Sequence, residues 1–183
     1  ITATTITPQQ TAAATGKTLT LSATTGVNNN QGWLTTDVGR IVKFNGGTAK
    51  ITSRTNSTVA VATIVDDFTN TDATVAFQLG SFSDTTGFPS SVSFFEQRLV
   101  FAATNDQPQT IFFSKSGDYE NMSAGVNDDD AMVYTIASNQ VNAIKAMKAT
   151  RTLIVMTTGG EYSVSSGNAS AITPTNVSII KQS

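Results

Sequence analysis

At 183 residues the chain suits one domain or two small ones, and it is long enough to bury roughly two-thirds of its unfolded surface. It contains neither cysteine nor histidine, which excludes disulfides, thiolate metal sites, Ser-His-Asp and Cys-His nucleophiles and His-based zinc hydrolysis. A formal net charge of -2 with 13% charged residues leaves no basic field to neutralise phosphates, so direct DNA binding is disfavoured.

Residues 1–16 read as an N-terminal arm. Within it Gln9 to Thr15 holds three alanines before Gly16, which suits a short helix and a disordered arm equally. Lys17 to Ala23 alternates, with Leu19 and Leu21 on one face and Thr18, Thr20 and Ser22 on the other, as a half-buried strand requires. A loop follows from Val27 to Gly32. Gly39 to Phe44 and Thr48 to Ser53 flank Asn45-Gly46-Gly47, and Asn-Gly between alternating runs is the strongest short-range hairpin signal. Thr58 to Val65, after the turn Arg54 to Ser57, and Thr74 to Leu79 complete five strands. These predict a small β-barrel or sandwich over residues 17–80, with Trp33 anchoring its core rather than standing exposed to stack on sugars.

Turn formers without periodicity cluster from Gly80 to Gly87 and place a linker at residues 81–88. The second domain, residues 89–183, begins with strands at Ser91 to Glu96, Arg98 to Ala103 and Thr110 to Ser114, with residues 104–109 as a hairpin loop. Ala143 to Lys148, Thr152 to Thr157 and Gly160 to Ser165 form a second set. Two three-strand groups about 50 residues apart have a period compatible with propeller blades of three or four strands. Helix is scarce: Ala137 to Asn142 has room for one turn, with Val141 and Ile144 on one side. The fold class expected is therefore all-β, a small barrel or sandwich followed by antiparallel sheets resembling the first blades of a propeller. No window reaches the roughly 18 consecutive apolar residues of a membrane helix, and no basic-then-apolar N-terminal segment occurs, so no membrane segment is expected.

Several groups invite a chemical reading. Asn127-Asp128-Asp129-Asp130 offers three carboxylates in succession to a hard cation, but it lacks the alternating ligands, central Gly and distant Glu of an EF-hand. An acidic, turn-forming loop fits better than a metal site. Asp118 and Glu120, if on a strand, would lie about 6–7 Å apart at Cα, a spacing that does not exclude a glycosidase-like pair. Glu96 and Arg98 would share a strand face in an apolar setting of Phe94, Phe95, Leu99 and Phe101, which predicts an ion pair fixing register. Gly159-Gly160 lacks the rest of a phosphate-binding fingerprint and reads as a tight turn. No catalytic, cofactor-binding or metal-binding residue is assigned, and no enzyme is expected.

The order of turns, strands and fixed polar residues from Gly87 to Gly125 is more specific than that of a generic β-domain. Gly87-Phe88-Pro89, Gln97-Arg98-Leu99-Val100-Phe101, Gln107-Pro108-Gln109-Thr110 and Ser114-Lys115-Ser116-Gly117-Asp118-Tyr119 follow one another. In this the chain resembles the nozzle family of short-tailed bacteriophages, also called tail tubular protein B. The likeness extends over most of the chain, through Asp37-Val38-Gly39-Arg40-Ile41 upstream, and Asn127 to Ala131, Val141 to Ile144, Thr157 to Val164 and Thr173 to Val177 downstream.

The resemblance implies a virion structural protein of the phage tail, made in the bacterial host cytoplasm. It also implies a β-propeller, a hexameric ring built on heterologous contacts, other tail proteins as partners, and passage of DNA without specific binding. It casts Ser116 to Tyr119 as a structural turn closing a blade. The chain departs from the pattern at Phe112, where Trp or Tyr is expected. It also begins with Ile and stops at Ser183, short of the usual family length, so a fragment or processed chain, monomeric in isolation, is expected. The alternative function is a receptor- or carbohydrate-binding module of a phage tail. Exposed Trp33, Tyr119 and Tyr134 around a concave site would favour it, whereas a broad apolar patch with matching edges would favour the ring.

Overall fold

Alternation of apolar and polar residues sets the first sheet. The computed structural model describes residues 3–137, 141–167 and 171–183. Its first six strands are β1 (Ile6–Pro8), β2 (Ala14–Leu21), β3 (Ile41–Phe44), β4 (Gly47–Arg54), β5 (Val59–Asp66) and β6 (Gln78–Leu79). They form one sheet in the order β1-β2-β5-β4-β3-β6, and every paired neighbour is antiparallel. Alternate residues turn inward: Leu19 and Leu21 on β2, Val42 and Phe44 on β3, Ala49 and Ile51 on β4, and Ala60, Ala62 and Ile64 on β5 are all buried. Burying a side chain of the size of Leu19 contributes about 1.5–3 kcal/mol, so this stripe is the main attraction holding the sheet.

The sheet is curled into a half-barrel. Thr74 exchanges hydrogen bonds with Ile6 on the β1 edge (2.8 and 3.0 Å), and Gln78 and Leu79 pair with Lys43 and Val42 on the β3 edge. The passage from 74 to 79 therefore spans the two edges of the curled sheet. Trp33 is fully buried within it, and Phe68 packs on Phe44 with ring centroids 4.3 Å apart. The β3–β4 hairpin turns at Asn45 and Gly46, whose φ angles of 45° and 76° are those that Asn and Gly tolerate best.

Three expectations for this region are corrected. Of the expected N-terminal arm, residues 3–16 belong to the first unit: β1 and the start of β2 lie in the sheet, and Ile6 is fully buried. Gln9 to Thr15 is not helical, since Ala14 and Thr15 already lie in β2. The strand expected over Thr74 to Leu79 is reduced to a bridge at Thr74 and the two residues of β6, because the segment has to cross from one edge to the other.

The chain divides into two compact units, the first ending at Gly87 and the second beginning at Phe88. The second unit holds β7 (Ser91–Phe95), β8 (Arg98–Ala102), β9 (Thr110–Phe113), β10 (Met132–Thr135), β11 (Ile144–Ala149), β12 (Leu153–Thr157), β13 (Gly160–Ser165) and β14 (Ser178–Lys181). They make two four-stranded antiparallel meanders, β7 to β10 and β11 to β14, each running in chain order across its sheet. The first strands, β7 and β11, lie next to each other. One core joins the two meanders: Phe95, Val100, Ile111, Phe113 and Met132 from the first meet Ile144, Leu153, Val155, Tyr162 and Val164 from the second. Two consecutive antiparallel meanders thus share one core.

Each expected three-strand group gains a fourth strand, β10 and β14. The turn between β7 and β8 also differs from expectation. Glu96 and Gln97 have φ of 48° and 59° and form a two-residue hairpin loop, so Glu96 is not a strand residue. Such left-handed conformations cost a non-glycine residue free energy and persist where the surroundings fix them. Here Glu96 Oε2 accepts a hydrogen bond from the amide of Ile172 at 2.6 Å, and Gln97 O accepts one from the amide of Gly117 at 2.8 Å. The helical turn expected at Ala137 to Asn142 falls partly on residues 138–140, outside the described residues.

Candidate functional site

The start of the Ser114–Tyr119 segment and the acidic loop around Asp128–Asp130 meet at one guanidinium. Arg98, the first residue of β8, is 2% exposed although it is charged, and it projects from the inward-facing side of the hairpin. Its Nη1 donates to the carbonyls of Ser114 (2.8 Å), Asp130 (2.7 Å) and Asp129 (3.3 Å), and its Nη2 donates to that of Asp128 (2.7 Å). A planar fork with several fixed donors suits a cluster of carbonyls, and a lysine could not match it. Burial lowers the Arg98 pKa, and the negative charges of Asp129, Glu96 and Asp130 oppose that shift. The expected Glu96–Arg98 ion pair does not form: Glu96 sits in the turn and faces the Ile172 amide, while Arg98 turns to backbone carbonyls.

Ser114 completes the clamp. Its hydroxyl, fully buried, accepts from the amide of Leu99 (2.9 Å) and donates to the carbonyl of Lys115 (2.9 Å). The amide of Ser116 donates to Asp129 O at 2.8 Å, which ties the Ser114–Tyr119 segment to the acidic loop. Gly117, at φ 72°, allows the tight turn between the bridged residues Lys115 and Asp118.

The acidic loop uses its own carboxylates. Asp130 Oδ2 accepts from the amide and the side-chain nitrogen of Asn127, both at 3.0 Å, and a Cβ at Gly125 would collide with that same carboxylate. Asp129 pairs with Lys115 at 2.9 Å. This contact holds the Asp129 carboxyl below the usual carboxylate range and raises the Lys115 ammonium above its ordinary value, in each case chiefly through their mutual hydrogen bond. Among the described residues no group of three or more Asp or Glu side chains is gathered to hold a metal ion. Asp118 and Glu120 lie in turns rather than on a strand, so the shared strand face that a hydrolytic pair required is not there.

The first unit has a polar centre of its own, built from the Asp37-Val38-Gly39-Arg40 motif at the end of a 3-10 turn over Thr35–Asp37. Asp37 is fully buried. It accepts from Arg40 Nη1 (2.9 Å), Asn28 Nδ2 (2.6 Å), the Leu34 amide (2.8 Å) and the Thr85 hydroxyl (2.8 Å). Arg40 also donates to Asn28 Oδ1 (2.9 Å) and, through Nε, to Gly80 O (2.7 Å). A buried pair this fully hydrogen-bonded fixes geometry more than it adds net stability. Asn28 reaches both partners from a run of three left-handed asparagines, Asn28 to Asn30. Sequence reasoning missed Asn28 and Thr85; the only signal was the Asn run itself, since Asn tolerates left-handed backbone better than most residues.

The aromatic residues named as a possible sugar platform do not share one condition. Trp33 is buried, and its Nε1 has no hydrogen-bond partner. Tyr134 donates its hydroxyl to Pro174 O at 2.7 Å, and burial raises its pKa. Tyr119 is exposed and meets exposed Phe94 edge-on, with ring centroids 5.3 Å apart. Gly160, at φ 138°, opens β13 after the two-residue turn at Thr158 and Gly159, as expected of a tight turn. Among the described residues no helix is long and apolar enough to cross a membrane.

No protein-family model matches the chain, and no curated protein matches it.

Proposed function

We propose that this chain is a structural segment of a short-tailed bacteriophage tail, of the nozzle or tail tubular protein B kind. In this reading it works in the virion as one subunit of a hexameric ring, beside other tail proteins, and lets DNA pass without binding it specifically. The observation that carries the reading is the meeting of residues 97–101, 114–119 and 127–131, three of the segments bearing the resemblance, at the Arg98 guanidinium. The polar groups there hold loops to a hairpin, which is the work of a scaffold and not of a reaction. A weakly acidic chain with a formal charge of -2 is consistent with a wall past which DNA slides.

Mass spectrometry of purified phage particles that carry the gene tests this reading. Peptides of the chain should co-purify with the virion and resist salt washing; peptides confined to the host lysate would contradict it. Light scattering of the isolated chain should give the monomer mass, and stable rings at micromolar concentration would contradict assembly in the virion alone.

A second reading, glycan recognition at the tail, draws on the exposed Phe94–Tyr119 pair, which offers aromatic area beside the Ser114–Tyr119 turn. Binding of the isolated chain to host glycans, lost in Tyr119→Ala, would favour it.

A further inference from the structure

The boundary between the units falls within the expected linker, residues 81–88, and the stretch from Gly80 to Gly87 carries hydrogen bonds of its own. Gly80 is held twice: its amide donates to Ile41 O at 2.7 Å, and its carbonyl accepts from Arg40 Nε at 2.7 Å. Five residues on, the Thr85 hydroxyl donates to Asp37 Oδ1 at 2.8 Å and accepts from the Thr36 hydroxyl at 2.7 Å. Both ends of the stretch thus rest on one buried ion pair, Gly80 on Arg40 and Thr85 on Asp37. Between them the chain closes on itself. Thr86 donates its hydroxyl to Ser81 O (2.7 Å), its amide donates to the Ser83 hydroxyl (3.2 Å), and the Gly87 amide donates to Ser83 O (2.7 Å). Ser83 is 2% exposed, which a solvated linker residue would not be. The next amide with a backbone partner is that of Ser90, which donates to Ala102 O and Ala103 O and so belongs to the second unit.

We propose that the Asp37–Arg40 pair is a latch for the connector. It makes residues 80–87 a fixed part of the first unit. The pair suits this role because a buried carboxylate and guanidinium tolerate few geometries. The Thr85 arm is the releasable part, being a single hydroxyl on an otherwise satisfied carboxylate.

Hydrogen exchange on the full chain tests the latch. In the unaltered protein the amides of Gly80, Thr86 and Gly87 should be protected to a degree comparable with those of β3 and β4. In Thr85→Val, which keeps the shape and removes the hydroxyl, protection at Thr86 and Gly87 should fall by about tenfold or more, with β2 to β5 unchanged. Fast exchange of residues 80–87 in the unaltered protein would overturn the proposal. So would unchanged protection in Thr85→Val, and so would unfolding of the whole first unit in that variant, which would make Thr85 part of the core fold and not a latch.

Discussion

Arg98 shows how one side chain can organise three stretches of sequence. Its acceptors are main-chain carbonyls of Ser114, Asp128, Asp129 and Asp130, and removing the donor leaves the buried Ser114 carbonyl and the part-buried carbonyls of the acidic loop short of a partner. Arg98→Met, which fills similar space without the fork, should destabilise the second unit by about 3 kcal/mol, and Arg98→Lys by about 1–2 kcal/mol, read from urea denaturation followed by circular dichroism. An unchanged midpoint in Arg98→Met would show that the clamp contributes nothing. Gln97, exposed and left-handed at φ 59°, makes the opposite case. Gln97→Gly removes the Cβ that disfavours this backbone and should stabilise the unit by about 0.5–1 kcal/mol in the same assay.

At the scale of elements, the acidic loop and the Ser114–Tyr119 turn are joined by Lys115 and Asp129, and the sign of their pH dependence follows from the direction of each shift. The Asp129 pKa is lowered on folding, so its contribution is present above the unfolded carboxylate pKa and lost as pH falls through the lower folded value. The Lys115 pKa is raised, so its contribution is present below the unfolded lysine value and lost as pH rises through the folded one. The pair therefore holds through neutral pH and fails at both extremes. Asp129→Asn should flatten the acid limb of the second unit's stability profile, by a small amount because the contact is solvated. An identical acid limb in the variant would contradict the assignment.

Elements carrying their own signal were legible in the sequence: the Asn45-Gly46 hairpin, the alternation of Leu19 and Leu21, the strand that became β5, and the β12–β13 pair. β1, β10 and β14 were not. Ile6–Pro8 ends in a proline at a sheet edge, and Met132–Thr135 and Ser178–Lys181 are outer strands of four residues whose pairing is set by a neighbour, with little periodicity to read. The site was legible in the same partial way. The acidic loop could be read as a turn, but the acceptors of Arg98 are carbonyls, which any residue supplies, so composition pointed to Glu96 instead. Left-handed Glu96 and Gln97 were hidden for a similar reason, because neither residue advertises a turn.

At the scale of the whole chain, the two units have separate cores that share no residue. The single tryptophan, Trp33, lies in the first of them, so its fluorescence follows that unit. In Arg98→Met the tryptophan transition should stay in place while the loss of β-sheet signal begins earlier; a shift of both together would show that the units unfold as one. Two meanders stacked through β7 and β11, with Phe94, Val92 and Tyr119 exposed on the first, are the portion of the molecule on which the proposed tail assembly rests. Electron microscopy of the parent phage particles decorated with a gold-labelled antibody against this chain tests that proposal most directly. Label should appear at the tail; particles without label, together with glycan binding by the isolated chain, would contradict the tail assignment.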